Sequence, residues 1–260
     1  MILFSVIMPS FNASDTILES IGSVLSQTYR NFELVICDDS STDSTVQILS
    51  AISDHRITIV SNLYEKGAAG ARKTAAQFCS GTYICYLDSD DIWGCNYLQR
   101  CNEYIEKSNV DFFFSNYSVF ESSKGILHSK LHYELPKKVN SRSLFLSNFI
   151  PCLTAVHKRE LLSFRHYPIL YKRNDYAIWV KILANTAYAY NAGFNEAFYR
   201  QSNSGLSSSK LSAIKYAYII LSQFLQLSVV KSLLLLPMQV GIAFLKKKTP
   251  LIYNAMCRFL

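Results

Sequence analysis

Acidic side chains are missing from the last part of the chain. From Gln201 to Leu260 there is no Asp or Glu, while seven Lys and Arg residues lie in that segment. The remaining 19 basic and 19 acidic residues cancel over residues 1–200, so the net charge of +7 belongs to this last segment. Such an asymmetry favours an anionic surface as the partner of the tail, which we define as residues 208–260.

Apart from Lys246-Lys247-Lys248, closely spaced Lys and Arg are missing from the tail, and this argues against nucleic acid as its partner. The tail consists mostly of Leu, Ile, Val and Phe, with wide gaps between its cations. A surface that follows a phosphate backbone needs more closely spaced Lys and Arg. A membrane surface is therefore the favoured partner, and no nucleic acid is expected.

The tail has no uncharged run long enough to cross a bilayer, which needs about 20 residues. Two uncharged stretches, Tyr216–Val230 and Ser232–Leu245, are separated by Lys231, and Pro237 is expected to break the second one. Helices that lie in the membrane interface fit this pattern. The alternative is a helical hairpin packed on the body or on a second subunit of an oligomer.

Paired cysteines and a basic leader are absent as well. The seven cysteines are odd in number and form no C-x-x-C motif, which indicates free thiols in a reducing compartment. The first residues, MILFSVIMPS, contain no basic residue and are predicted to form a strand instead of a signal peptide. We therefore expect a cytoplasmic protein held peripherally at the inner face of the cell membrane.

Short apolar runs alternate with helical patterns over the first hundred residues. Near-continuous apolar strands joined by helices predict a parallel sheet that is covered on both faces. A hairpin near Gly125 and a helix around Ser141–Asn148 are expected later in the chain. The four predicted strands are Ile2–Met8, Phe32–Cys37, Ile57–Val60 and Tyr83–Leu87.

Polar and acidic residues follow three of these strands. Ligands of such sheets bind at the carboxyl ends of the strands, so these residues are expected to meet on one rim. Many carboxylates held together call for a bound cation, and a D-x-D pair with hard oxygen ligands suits Mg²⁺ or Mn²⁺. A solvated acidic turn is the alternative for the D-x-D pair alone. The three segments are Pro9–Asn12, Asp38–Asp43 and Asp88–Asp91.

Together with Asn62–Arg72, the motif RNDYAIW at residues 173–179 and Tyr199-Arg200, these segments resemble glycosyltransferase family 2 in order and spacing. The resemblance covers about residues 1–207 and leaves the tail outside it. It implies a GT-A fold, which is a Rossmann-like, mainly parallel sheet flanked by helices. It also implies inverting transfer of one sugar from a UDP-sugar to a hydroxyl of a glycan acceptor. A lipid-linked acceptor in surface-polysaccharide assembly is suggested by analogy.

The resemblance assigns the nucleotide end of the site. Phe11, which follows Pro9 in the same motif, would stack on the base; the alternative is a core aromatic at the end of a strand. Asp39 would accept the imide N–H of uracil, and Asp38 would either share this role or brace the turn. Arg72 would lie near the base and the diphosphate, and its alternative is a solvated helix face.

The resemblance also assigns the sugar and phosphate end. Asp88 would bind the ribose hydroxyls beside Ser89, and Asp90 would bind a Mn²⁺ or Mg²⁺ ion that bridges the diphosphate. Asp91 would support this loop or cap the helix that follows it. Arg200 would contact the donor phosphates.

Asp175 is the candidate general base for the attack of the acceptor hydroxyl, with a helix N-cap as the alternative role. Two residues depart from the family pattern. Asn174 stands where many relatives carry Glu, and Ser202 stands where many carry His. Because of these departures, one alternative remains: the protein could be a catalytically degenerate family relative that binds nucleotide sugar and acts as a scaffold in a membrane complex. A nucleotidyltransferase or a phosphatase on a similar sheet would need a Gly-rich loop or an aspartyl nucleophile after the first strand, and neither is present.

Overall fold

A computed structural model describes residues 1–123, 126–201 and 210–260. These described residues form ten strands and eight α-helices. Strands and helices alternate over the first hundred residues, and the last three helices follow the last strand. The strands are β1 Phe4–Ser10, β2 Phe32–Asp38, β3 Ile57–Ser61, β4 Tyr83–Tyr86, β5 Ile92–Trp93, β6 Phe112–Ser123, β7 Ile126–Tyr133, β8 Lys138–Val139, β9 Val156–Lys158 and β10 Ala189–Arg200. The helices are α1 Ile17–Leu25, α2 Thr45–Ser50, α3 Ala68–Phe78, α4 Tyr97–Ser108, α5 Asn174–Ile182, α6 Lys210–Ile219, α7 Val229–Lys248 and α8 Pro250–Phe259.

One mixed sheet runs through the body, with the strand order β3-β2-β1-β4-β9-β6-β10-β5. β1 is parallel to β2 and β4, and β2 is parallel to β3, as the sequence predicts. β9 is antiparallel to both β4 and β6. Because β1, β2 and β4 run in the same direction, their carboxyl ends meet at one edge of the sheet.

Small side chains bring α3 close to this edge. Ala71 and Ala75 are fully buried where α3 packs against β1 and β2. The chain enters α3 through Gly67, whose φ of 124° is a conformation that L side chains rarely adopt. The next helical turn therefore carries Arg72 directly to the ends of the central strands.

The expected helix around Ser141–Asn148 is wrong, because only a 3₁₀ turn, Ser143–Phe145, forms there. The Asn140 side chain accepts hydrogen bonds from the backbone N–H and the hydroxyl of Ser143, which closes a turn. Pro151 then disfavours a helical conformation at the residue before it. The hairpin is confirmed by the antiparallel pairing of β6 with β7, and its tip at residues 124–125 lies outside the described residues.

The prediction that Lys231 and Pro237 interrupt the tail is also wrong. α7 runs continuously from Val229 to Lys248, and the break instead follows a π-helical turn at Ile220–Phe224. Ser228 caps α7 by accepting a hydrogen bond from the backbone N–H of Lys231, so Lys231 lies in the first turn. Among the described residues, α7 alone is long and apolar enough to cross a membrane, judged by length and composition only, with a mean hydropathy of 1.6.

The tail packs on the body with one face and leaves another face open. Ile220, Ile242 and Tyr253 belong to the same core as the central sheet. In contrast, Val230 and Leu234 of α7 are 67% and 73% exposed. The packed-hairpin alternative therefore describes one face of the tail. The predicted boundary between residues 207 and 208 lies outside the described residues, and the seven cysteines are free, as expected.

Candidate functional site

An exposed aromatic ring follows the first strand. Phe11 is 45% exposed, which does not fit the alternative of a core aromatic. The Lys66 ammonium lies over its ring at 4.4 Å from the centroid. The next residue, Asn12, adopts a φ of 47°, and its side-chain oxygen accepts a hydrogen bond from the backbone N–H of Thr42 at 2.7 Å. Phe11 is thus an aromatic face presented on a fixed turn.

The two carboxylates at the end of β2, Asp38 and Asp39, each hold a loop in place. Asp38 accepts hydrogen bonds from the backbone N–H and the hydroxyl of Ser41, at 3.0 and 2.6 Å. This is the bracing role considered for Asp38. Asp39 accepts from the Asn62 side-chain amide at 2.6 Å and from the backbone N–H of Gly67 at 2.7 Å. Each carboxylate oxygen can accept a further hydrogen bond, so Asp39 still has acceptor capacity for a ligand.

β1 supports this arrangement through its last residues. The backbone N–H of Asp39 donates to the carbonyl oxygen of Ser10 at 2.8 Å. Pro9 is buried within β1 beside Cys37 of β2, so its side chain shapes the strand end. The rim predicted from the strand ends is present. We name the five carboxylates along it, Asp38, Asp39, Asp88, Asp90 and Asp91, the acidic edge.

Arg72 is the buried centre of the site. Only 4% of the residue is exposed, so the alternative of a solvated helix face does not apply. Its guanidinium pairs with the Asp88 carboxylate and donates a hydrogen bond to the side-chain oxygen of Asn174 at the start of α5. Its Nε has no partner among the described residues. Arg72 thus joins the acidic edge to α5.

Asp90 and Asp91 experience different surroundings. Burial, together with the charge of Asp88, raises the pKa of Asp90 to about 6. Asp91 is almost fully buried and accepts a hydrogen bond from the backbone N–H of Arg200 at 2.9 Å. Burial also raises its pKa well above the ordinary value. Asn96 is the N-cap of α4, so Asp91 supports β10 instead of capping that helix.

Arg200 is tied to the same loop. Its Nε donates to the carbonyl oxygen of Asp90 at 2.7 Å, and its guanidinium pairs with Glu19 of α1. The backbone of this loop is also held by the Thr16 hydroxyl, which donates to the carbonyl oxygen of Ser89 at 2.8 Å. The loop that carries Asp88 and Asp90 is therefore fixed from two sides. Ser202, the other departure from the family pattern, lies outside the described residues.

A divalent cation fits Asp90 only in part. Among the described residues, no group of three or more His, Cys, Asp or Glu side chains surrounds a common metal position. Mg²⁺ and Mn²⁺ sites, however, are often built from one or two carboxylates completed by substrate phosphates and water. Burial and the neighbouring Asp88 raise the pKa of Asp90, and a cation would favour its ionised form. The donor set is therefore suitable for an ion that arrives with a diphosphate.

Asp175 lies in the first turn of α5, half-buried. The N-cap of this helix is Arg173, at a φ of 58°, so the alternative role of Asp175 as an N-cap is wrong. The Asn148 side-chain amide donates to one Asp175 oxygen at 2.8 Å. The preceding residue, Asn174, binds Arg72, which places Asp175 one residue from the buried link to Asp88.

Sequence reasoning missed three residues of this site, which are Asn62, Asn148 and Glu19. Asn62 fell inside a matched segment but had no assigned partner. Asn148 fell in the segment expected to be a helix. Glu19 lies on α1, 181 positions before its partner Arg200. The contacts of Glu19 and Asn148 join distant parts of the chain, so local patterns contain no signal for them.

Known proteins resemble this chain in sequence and in fold. Residues 5–163 match the model of Glycosyl transferase family 2. The chain is 41% identical over 225 residues to the Escherichia coli UDP-Glc:alpha-D-GlcNAc-diphosphoundecaprenol beta-1,3-glucosyltransferase WfgD, and the match covers 86% of this chain and 87% of the relative.

Two solved structures share the fold. The S. aureus TarS 1-349 complex with UDP-GlcNAc superposes with a TM-score of 0.66 at 18% identity, covering 95% of this chain and 76% of that one. The mannosyltransferase PcManGT from Pyrobaculum calidifontis, in complex with GDP-Man and Mn2+, gives 0.58 at 18% identity, covering 98% and 73%. The predicted GT-A fold is thereby confirmed.

Proposed function

The chain belongs to glycosyl transferase family 2, and we propose that it transfers one glucose, with inversion, from UDP-glucose to a hydroxyl of a lipid-linked GlcNAc diphosphate. The observation that carries this proposal is the buried link from Asp88 through Arg72 to Asn174, next to Asp175. This link supports the proposal because it joins the acidic edge, which would bind the nucleotide, to the helix that carries a carboxylate able to serve as a base. The 41% identity to WfgD supports the choice of sugar and acceptor.

The nucleotide would bind along the acidic edge. The exposed Phe11 ring offers a face for the uracil, because any base can stack on an aromatic ring. Asp39 keeps acceptor capacity for the imide N–H, and Asp88 would bind the ribose hydroxyls. Pro9, Asp38 and Ser89 would act by shaping the turns that carry these groups.

Asp90 would hold a Mn²⁺ or Mg²⁺ ion together with the donor diphosphate. Such an ion supplies positive charge to the departing phosphate. Arg200 fixes the carbonyl of Asp90 and would keep that carboxylate facing the diphosphate. Arg72 would hold the Asp88 carboxylate in place and so position the donor indirectly, through Asp88.

Asp175 would act as the general base. The acceptor oxygen attacks the anomeric carbon from the face opposite the leaving diphosphate, and its proton passes to the Asp175 carboxylate. The C–O bond to the diphosphate breaks as the new glycosidic bond forms. The hydrogen bond from Asn148 would hold one carboxylate oxygen and leave the other directed at the acceptor.

The tail would bind the cytoplasmic face of the membrane and so bring the site to a lipid-linked acceptor. Support comes from the exposed apolar residues of α7 and from the exposed Lys247 and Lys248 at its carboxyl end, which is the composition of an interfacial helix. Lys246 instead lies against tyrosine rings of the body. The apolar face would enter the headgroup region while the cations contact anionic lipids.

The test uses purified full-length protein, a synthetic GlcNAc-α-diphospholipid and a panel of UDP-sugars with Mn²⁺. We expect transfer from UDP-glucose, a product with inverted configuration, and loss of transfer when the cation is chelated. Binding of UDP without transfer from any UDP-sugar would contradict the proposal and favour the degenerate scaffold. Transfer from a different UDP-sugar would support the mechanism but contradict glucose as the transferred sugar.

A further inference from the structure

The middle of the tail contacts the helix that carries Asp175. Gln239 of α7 is 2% exposed, and its Nε2 donates to the Tyr176 hydroxyl oxygen at 3.1 Å and to the carbonyl oxygen of Phe145 at 3.2 Å. A carbonyl oxygen can only accept, so the contact with Phe145 fixes which end of the amide carries the nitrogen. The Tyr176 hydroxyl in turn donates to the carbonyl oxygen of Leu144.

These contacts join both parts of the chain that hold the Asp175 carboxylate. Tyr176 is the next residue along α5 and fully buried, so it fixes the backbone of the first turn. Phe145 lies three residues before Asn148, whose amide donates to Asp175. One amide of the tail therefore holds the helix that bears the carboxylate and the segment that bears its hydrogen-bond partner.

We propose that Gln239 is a positioning residue for the transfer reaction, through which the tail sets the orientation of the Asp175 carboxylate. This inference rests on the proposed role of Asp175 as the base. It makes the tail part of the catalytic arrangement as well as the membrane contact. A displacement of reacting groups by about 1 Å can cost roughly 100-fold in rate. A buried side chain that contacts the neighbours of Asp175, and not Asp175 itself, is therefore able to affect turnover.

The tail offers a matched control in Asn254 of α8. This residue is also a buried amide with two hydrogen bonds to the body: it donates to the carbonyl oxygen of His132 at 2.9 Å and accepts from the backbone N–H of Glu134 at 3.2 Å. It fixes the tail without touching α5 or the Ser143–Phe145 turn. Gln239→Leu and Asn254→Leu thus remove the same chemical group from the same tail.

The experiment measures transfer from UDP-glucose to the GlcNAc diphospholipid, and UDP affinity, for the full-length variants. We expect Gln239→Leu to lower kcat roughly 10- to 100-fold while KM for UDP-glucose and UDP affinity stay unchanged. Tyr176→Phe, which keeps the ring and removes one of the two acceptors, should give a smaller loss of kcat. Asn254→Leu should keep the wild-type kcat. Wild-type kcat in Gln239→Leu, or an equal loss in Asn254→Leu, would overturn the proposal.

A double-mutant cycle tests whether Gln239 acts through Asn148. If both residues orient the same carboxylate, Gln239→Leu combined with Asn148→Ala should lower kcat by less than the product of the two single losses. Losses that multiply would refute this route. Asp175→Asn separates the two proposals: if that variant is inactive while Gln239→Leu is fully active, only the role of Gln239 fails.

Discussion

The two sides of the site are built differently. The acidic edge comes from the end of β2 and from the loops that follow β2 and β4, two strands that both pair in parallel with β1, so their carboxyl ends meet at one edge of the sheet. The Asp175 side is assembled from α5, the Ser143–Phe145 turn with Asn148, and α7. The first side is therefore fixed by the central sheet, and the second depends on packing between segments far apart in the chain.

Under the proposed function, this difference would place donor binding and turnover in separate parts of the protein. Loops anchored to a sheet lose little order when one side chain changes, so donor binding should tolerate changes near α5. Under the proposed mechanism, turnover would depend on the orientation of the Asp175 carboxylate, which Asn148 contacts directly and Gln239 would position through Tyr176 and Phe145. Arg72 is the direct connection between the two sides, since its guanidinium contacts Asp88 and Asn174.

The largest expected effect comes from Asp175→Asn, which removes the proposed base and keeps the shape of the side chain. Loss of a positioned general base lowers kcat by about 100- to 10,000-fold. UDP affinity, measured by calorimetry, should remain that of the wild type, because the acidic edge is untouched. Turnover at the wild-type rate would remove Asp175 from the mechanism, and a parallel loss of UDP binding would show that the two sides are not independent.

A second change breaks the connection that Arg72 makes between Asp88 and Asn174. Asp88→Asn leaves the buried Arg72 guanidinium without its carboxylate partner. Because the Asp88 side chain is 36% exposed, solvent screens the pair, and the expected loss of unfolding free energy is about 1 kcal/mol, below the cost of breaking a fully buried pair. Urea denaturation measures this loss. Adding Asn174→Asp returns a carboxylate to the other side of Arg72 and should recover part of the stability. The double variant should still bind UDP weakly, because Asp88 would be missing from the ribose position.

The same contrast explains what could be predicted from the sequence. Strand ends are local features, so Phe11, Asp38, Asp39, Asp88 and Asp90 could be assigned to one edge from the apolar runs and the matching motifs. The roles of Asn148 and Gln239 could not be predicted, because each depends on a contact with residues 27 or more positions away.

The errors in the sequence reading have local physical causes. The hydrophobic pattern at Ser141–Asn148 suits a helix, but the Asn140 side chain closes a turn there instead. Pro237 is tolerated inside α7 although it removes a backbone hydrogen bond. Past the proline, α7 packs on the body through Ile242 and the buried Gln239. Local sequence patterns cannot predict these long-range contacts.

A third prediction concerns the open face of the tail. Deleting the whole tail would remove part of the core, so a surface substitution is the cleaner test. Leu234→Glu places a charge on a side chain that is 73% exposed, and it should weaken binding to phosphatidylglycerol vesicles about tenfold, because transferring one Leu side chain is worth about 1.5 kcal/mol or more. Leu18→Glu adds the same charge to an exposed site on α1 and serves as the control. Undiminished vesicle binding by the Leu234 variant would refute the membrane role of this face.

The smallest expected effect is the pH dependence of the acidic edge. The pKa of Asp90, about 6 in the folded protein against 3.8 ordinarily, means that the folded state binds this proton more tightly than the unfolded state. Its contribution to stability is therefore present below about pH 4 and is lost as the pH rises through 6. A cation must displace that proton, so Mn²⁺ affinity in the presence of UDP should fall by up to about tenfold per pH unit below 6 and level off above 7. Calorimetry between pH 5 and 8 measures this, with Asp90→Asn as the variant that should lose the dependence. An affinity that stays constant from pH 5 to 7 would remove Asp90 as the metal ligand and leave the acidic edge to bind the nucleotide alone.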